Sequence, residues 1–186
     1  MRLLIVGPQG AGKGTQATLL AESLGIPHVS TGEIFRANLA GGTELGKLAN
    51  KYMDAGELVP DEVTQEMVSD RVAQSDARPG FVLDGFPRNI PQAKWLTELL
   101  DGMESPIDVV VLLTAPDQVL LDRMLTRGRT DDTAEAISRR LNIYHRETTP
   151  LIDYYDGRVI HVDGVGAVDE VHERVLGAVL SFVRAA

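Results

Sequence analysis

The sequence predicts an α/β domain built on a parallel sheet. Three observations predict it. Apolar runs of strand length recur along the chain, helical apolar stripes separate them, and the first run leads into a glycine-rich turn that opens a helix. Near-continuous apolar strands are buried on both faces, which is the pattern of a parallel sheet covered by helices. With 186 residues the chain has room for one compact domain with a real core and is short for two.

The elements follow in order. Residues 2–6, RLLIV, read as the first buried strand. Ala17, Leu20, Ala21 and Leu24 then share one helical face, and Gly25 and Pro27 stop the run. PHVS (27–30) is a short second strand candidate. Residues 31–75 are mostly helical with no strand signal, so a helical insertion separates two strands there. FVL (81–83), IDVVVLL (107–113) and RVIHV (158–162) are the later strands. Leu120, Leu121, Met124 and Leu125 form one further stripe, and Val168, Val171, Val175, Val179 and Phe182 form another. These stripes read as core rather than as a cofactor box. No repeat, low-complexity tract or long linker divides the chain. Two excursions leave the α/β pattern, near 31–60 and near 127–138.

Composition excludes several classes. The hydrophobic fraction of 44% and charged fraction of 24% are those of an ordinary soluble globular protein. No apolar run approaches the ~20 residues that span a membrane. The N-terminal apolar stretch soon meets glycines, so it reads as a strand and not as a signal peptide. There is no cysteine, which rules out disulfides and thiolate metal sites and fits a reducing cytoplasm. A net charge of −9 argues against a nucleic-acid binder. Yet Arg123, Arg127, Arg129, Arg139 and Arg140 crowd together. Such a cluster is either a solvated helix face or an anion site, since guanidinium forks match phosphate oxygens.

The strongest chemical signal is GPQGAGKGT, Gly7 to Thr15. Gly7, four residues, then Gly12–Lys13 is the phosphate-loop spacing, and it lies between a strand and a helix. Glycines let backbone N–H groups converge on phosphate oxygens, the helix N-terminus adds partial positive charge, and Lys13 reaches the β- and γ-phosphates. Gly14 stands where a hydroxyl usually follows the lysine, and Thr15 supplies one a place later. The second signal is FVLDGFPRNIPQA, 81–93. Asp84 at the strand end is placed to hold Mg²⁺ or its waters. Arg88 can pair with a phosphate, and Gln92 offers the donor and acceptor that reading a base edge needs.

GPQGAGKGTQ, STGEIFR, DAGELVPDE, DGFPRNIPQA, TRGRTDD and the arginine pair at 139–140 together resemble adenylate kinases, in order and across the whole chain. The short segment between Arg127 and Arg140 is similar to the bacterial short-lid type, without the longer lid insertion or its zinc-binding form. The resemblance implies a P-loop three-layer sandwich with a central five-stranded parallel sheet. It divides the chain into a core (1–29, 60–126, 139–186), a helical monophosphate-binding insertion (30–59) and a short lid (127–138).

The resemblance also implies roles. Gly10, Ala11, Gly12, Lys13, Gly14 and Thr15 would hold ATP phosphates, Arg123 and Arg127 would flank ATP, and Gly166 would meet the adenine through its backbone. Thr31, Arg36, the backbone of Glu57, Leu58 and Val59, the segment Gly85, Phe86, Pro87 and Arg88, and Gln92 would bind AMP. Arg129 and Arg140 would reach across to the transferring phosphate and to AMP, while Arg139 matches no functional position and is left on the surface. Lys13, Arg88, Arg123, Arg129 and Arg140 form the implied catalytic set. Asp84 and Glu33 would hold Mg²⁺ through water. Gln9 stands where the family commonly has proline, and Glu33 replaces a usual aspartate.

The implied activity is reversible phosphoryl transfer from MgATP to AMP by a cytoplasmic monomer, with ATP, AMP and ADP as ligands and neither nucleic acid nor membrane as partner. A kinase of the UMP/CMP type is the alternative, and a nucleotide-regulated switch is a further one. The first tends to carry asparagine near Gln92, and the guanine-reading NKxD motif of GTPase switches does not follow the later strands. No Ser–His–Asp set is present, and structural roles are expected for His28, His145, His161 and His172. A phosphate acceptor explains this, because its oxygen attacks without first losing a proton.

Overall fold

In the computed structural model of the chain, residues 1–129 and 132–185 are described. Five strands, β1 (Arg2–Val6), β2 (His28–Ser30), β3 (Phe81–Asp84), β4 (Val109–Thr114) and β5 (Val159–Asp163), form one sheet in the order β2-β3-β1-β4-β5. Every pairing is parallel. On the central strand β1, Leu3 and Ile5 enter one apolar layer while Leu4 and Val6 enter the other, as the two-residue period of a strand dictates. Both layers are apolar, so β1 reads as a continuous apolar run.

The first layer is closed by α1 (Lys13–Leu24), α6 (Asp117–Arg127) and α9 (Val168–Ala185), through Leu20, Met124, Val175 and Val179. The second is closed by α4 (Asp61–Val72), α5 (Ile90–Asp101) and the single turn α8 (Leu151–Tyr154), through Val68, Leu96, Leu100 and Leu151. Each fully buried leucine contributes about 1.5–3 kcal/mol. This is the three-layer α/β sandwich with a five-stranded parallel sheet. Strand ends differ slightly from the apolar runs: β4 begins at Val109 because Asp108 turns its carboxylate to the Arg2 amide at 2.6 Å. Arg158 precedes β5 and donates to the Ile107 carbonyl at 2.9 Å.

The helical insertion resolves into α2 (Thr31–Ala40) and α3 (Glu44–Ala55), followed by α4. The Ser30 hydroxyl caps α2 by accepting the Glu33 amide, and the Thr43 hydroxyl caps α3 by accepting that of Gly46. Phe35, Ala49 and Val59 form a third, small apolar cluster with Leu45, Tyr52, Met53, Val63 and Met67 packed against it. In the second excursion α6 ends at Arg127, and α7 (Ala134–Ile143) starts from a Thr133 cap. Of the expected lid at 127–138, residues 130 and 131 lie outside the described residues.

Candidate active site

Parallel strands aim their C-terminal ends at one rim, and the loops that leave them there build the site. β1 runs into residues 7–12, which deliver the chain to α1. Gly7 is required by close approach. A Cβ on it would lie 2.1 Å from the Leu113 carbonyl oxygen of β4, and its φ of +150° disfavours side chains. The first turn of α1 leaves N–H groups without intrahelical partners, facing the loop. Lys13 donates to the Pro8 carbonyl at 2.8 Å. Burial pushes the Lys13 ammonium down to about 8; Asp84 opposes this, and Arg88, Arg127 and Arg129 add to it.

β3 delivers Asp84, nearly buried, beside the loop. A Cβ on Gly14 would sit 3.6 Å from its carboxylate oxygen. Burial alone would raise the Asp84 carboxyl, but His28, Lys13 and Arg88 outweigh it and hold it below the usual range. His28 Nε2 lies 3.8 Å from the Asp84 carboxylate, and its Nδ1 meets the Thr18 hydroxyl at 3.2 Å. This histidine has partners that its place in a short strand did not disclose. His172 likewise meets Ser23 at 3.0 Å.

Two cavities open at this rim. One is lined by Gly10 to Thr15, Glu33, Asp84, Arg123, Arg127, Arg129 and Gly166. The other is lined by Thr31, Glu57, Leu58, Val59, Pro87, Gln92 and Arg140. Gln9, Lys13, Gly32, Arg36, Gly85 and Arg88 line both, so the cavities meet at a wall carrying three cations. The structure thus gathers nearly every expected residue around two adjoining spaces. Phe86 is the exception. Its side chain is buried in the second core layer, edge-on to Trp95 at 5.8 Å, and lines neither cavity. Among the described residues no three carboxylate, imidazole or thiol groups cluster as a metal nest. One buried carboxylate beside a lysine, with Glu33 on the same cavity, suits a hydrated Mg²⁺ brought by phosphates.

Arg127 and Arg140 are organised by Asp132, an acid with no role assigned from the sequence. Asp132 accepts both arms of Arg127 at 2.9 and 2.8 Å and one arm of Arg140 at 3.1 Å. Burial would raise its carboxyl, but the two guanidiniums win and hold it low. Arg140 also donates to the Met53 carbonyl at 2.7 Å, and Arg139, expected as plain surface, pairs with Glu57 at 3.1 Å. Both contacts join α7 to the helical insertion. Arg123 donates to the Gly164 carbonyl at 3.0 Å and to Gly10 at 3.4 Å. Arg88 donates to the Gly85 carbonyl at 2.8 Å, while Thr148 holds the Arg88 carbonyl at 2.7 Å. Asp61 accepts from Gln92 and Asn89. Asp61 and Asp132 stand within two of the motifs read above, DAGELVPDE and TRGRTDD, so their position was visible although their partners were not.

The family model described as adenylate kinase matches residues 5–160. The chain is 55% identical over 178 residues to the adenylate kinase of Nocardia farcinica, covering 96% of this chain and 98% of that protein. Over the same shares it is 53% identical to the adenylate kinase of Corynebacterium urealyticum. The identity to that of Mycobacterium tuberculosis is 51%, again over 96% and 98% of the two chains. With its P-loop sheet, its two adjoining cavities and this likeness over nearly its full length, the chain belongs to the adenylate kinase family.

Proposed function

We propose that the chain catalyses reversible phosphoryl transfer from MgATP to AMP, giving two ADP. The observation that carries this reading is the shared cationic wall of Lys13, Arg36 and Arg88 between the two cavities. Two polyanions entering from opposite sides bring their phosphates together there. ATP lies along Gly10 to Thr15, flanked by Arg123 and Arg127, with its base at the Gly166 backbone. AMP lies against Thr31, Arg36, the backbone of Glu57, Leu58 and Val59, Gly85 to Arg88, and Gln92. Arg129 and Arg140 reach toward the phosphoryl group in transfer.

An AMP phosphate oxygen forms the new P–O bond while the γ-phosphorus leaves the β-phosphate oxygen. No proton must move first, so the residues need only position and stabilise charge in a loose transition state. Asp84 and Glu33 would hold the waters of a Mg²⁺ brought by the nucleotide, and the ion would supply charge neutralisation of the phosphates. We divide the chain into a core (1–29, 60–126, 139–186), a monophosphate-binding insertion (30–59) and a lid (127–138). We place it as a monomer in the cytoplasm. No helix among the described residues is long and apolar enough to cross a membrane.

The test supplies ADP and Mg²⁺ alone. ATP and AMP should appear in equal amounts. Their absence, or release of free phosphate instead, overturns the assignment.

A further inference from the structure

The loop from β5 to α9 carries Gly166, and its carbonyls are almost all occupied. The Arg174 guanidinium, projecting from α9, donates to the carbonyls of Asp163 and Val165. Arg123, from α6, takes the Gly164 carbonyl at 3.0 Å. The Val171 amide takes that of Ala167 at 3.0 Å, and the Gln16 side-chain amide, from α1, takes that of Val168 at 3.0 Å. Among the described residues, Gly166 alone in the run 163–168 keeps a carbonyl with no such donor, and Gly166 lines the cavity assigned to ATP.

Arg174 and Glu170 also crowd Gly166. A Cβ there would lie 2.7 Å from an Arg174 nitrogen and 2.8 Å from a Glu170 carboxylate oxygen, and φ is +129°. That backbone shape is open to glycine and strained for other residues. Glu170 also accepts the Ala167 amide at 3.1 Å, which fixes the exit of the loop. The loop is thus held by side chains from α1, α6 and α9, and the Gly166 carbonyl is the one it leaves without a donor.

We propose that Arg174 is a positioning residue for donor selection: by engaging the Asp163 and Val165 carbonyls it fixes the loop so that the Gly166 carbonyl is the acceptor left for the donor base. An acceptor favours a purine with an amino group at the 6-position. A 6-oxo purine sets acceptor against acceptor and leaves both unpaired. The inference rests on the adenylate kinase reading. Arg174 itself is over a third exposed, with side-chain exposure of 38%, while core packing of α9 falls to Val171, Val175 and Val179. Its loss should therefore act on nucleotide choice more than on folding.

The experiment compares the wild type with Arg174→Ala and Arg174→Lys, measuring ATP and GTP as donors at fixed AMP, and AMP at fixed ATP. Arg174→Ala should raise KM for ATP and lower the ATP-over-GTP ratio of kcat/KM by roughly tenfold, the effect of one misplaced hydrogen bond. KM for AMP should move much less. Lysine cannot fork to two carbonyls, so Arg174→Lys should restore only part of the selectivity. An unchanged ATP-over-GTP ratio in an active variant overturns the inference alone. Equal rises in KM for ATP and AMP, or a large fall in Tm, make Arg174 a general structural residue and also overturn it. A wild-type protein that makes no ATP and AMP from ADP overturns the adenylate kinase reading and the inference with it.

Discussion

The Gln92 side-chain amide donates to a carboxylate oxygen of Asp61 at 2.7 Å, while its own oxygen accepts the Arg88 backbone amide at 2.7 Å. Gln92 is nearly fully buried, so the two bonds fix which way the amide faces. One amide hydrogen remains for a base edge. Asp61→Ala should raise KM for AMP roughly tenfold and leave KM for ATP close to wild type. With Asp61 intact, AMP should beat CMP, UMP and GMP by well over ~10-fold in kcat/KM. Initial rates with each monophosphate at saturating ATP check both, and CMP or UMP equal to AMP would transfer the protein to the alternative acceptor class.

Lys13 should be essential to transfer and dispensable for folding. It opens α1 directly after a loop already shaped by close packing, with Gly7 against Leu113 and Gly10 against Leu120. Lys13→Met should lower kcat by roughly 10²–10³-fold, the loss expected of one preorganised charge-stabilising donor. Tm should change little. Steady-state rates with a thermal melt check it, and near-wild-type turnover would remove Lys13 from the chemistry.

The Lys13 ammonium, held down at about 8, sets a pH limit. In the free enzyme its charge is full well below that value and is lost as pH rises through it. The kcat/KM for ATP should therefore fall on an alkaline limb near pH 8, while phosphate binding raises the ammonium and moves the kcat limb higher. Stability runs the other way. Between about 8 and the ordinary 10.5 the unfolded chain holds the proton more tightly than the fold, so this group adds relative stability as pH rises. Rate profiles at constant ionic strength check the first sign, and denaturant melts across the same range check the second.

Closure should suppress hydrolysis. Arg139 and Arg140 already tie α7 to Glu57 and Met53 of the insertion. Filling both cavities excludes water and removes the competing nucleophile. A ligand joining two adenosines through five phosphates should bind more tightly than ATP or AMP, and should slow hydrogen exchange across 127–138. MgATP alone should be cleaved far more slowly than AMP is phosphorylated. Comparable rates, or unchanged exchange with the bisubstrate ligand, would show that the site is not guarded.

The sheet was legible because β1, β3 and β4 are dense apolar runs, whereas β2 carries one apolar residue, Val29, and gave only a weak signal; the phosphate loop was legible because its spacing sits between a strand and a helix. What escaped the sequence was pairing across distance. Glu57 and Arg139 are 82 positions apart and Gln92 and Asp61 are 31 apart, and no local pattern links such residues. His28 showed only a strand position, yet it lies between Thr18 and Asp84. Phe86 was misleading for the opposite reason. It stands among polar motif residues, but burying an aromatic ring outweighed its neighbourhood, and the ring faces Trp95.

The small apolar cluster around Phe35, Ala49 and Val59 makes the helical insertion a module with a core of its own. It shares no buried residue with the two layers that flank the sheet. The base-reading Gln92 lies outside it on α5, so a graft of the insertion alone moves Thr31, Arg36 and Glu57 to Val59 but leaves Gln92 behind. The seam matters. Val63 and Met67 pack on this cluster from α4, beyond the expected boundary at 59. A graft cut at that boundary would strip the module of part of its own core, whereas one carried through Met67 moves it whole.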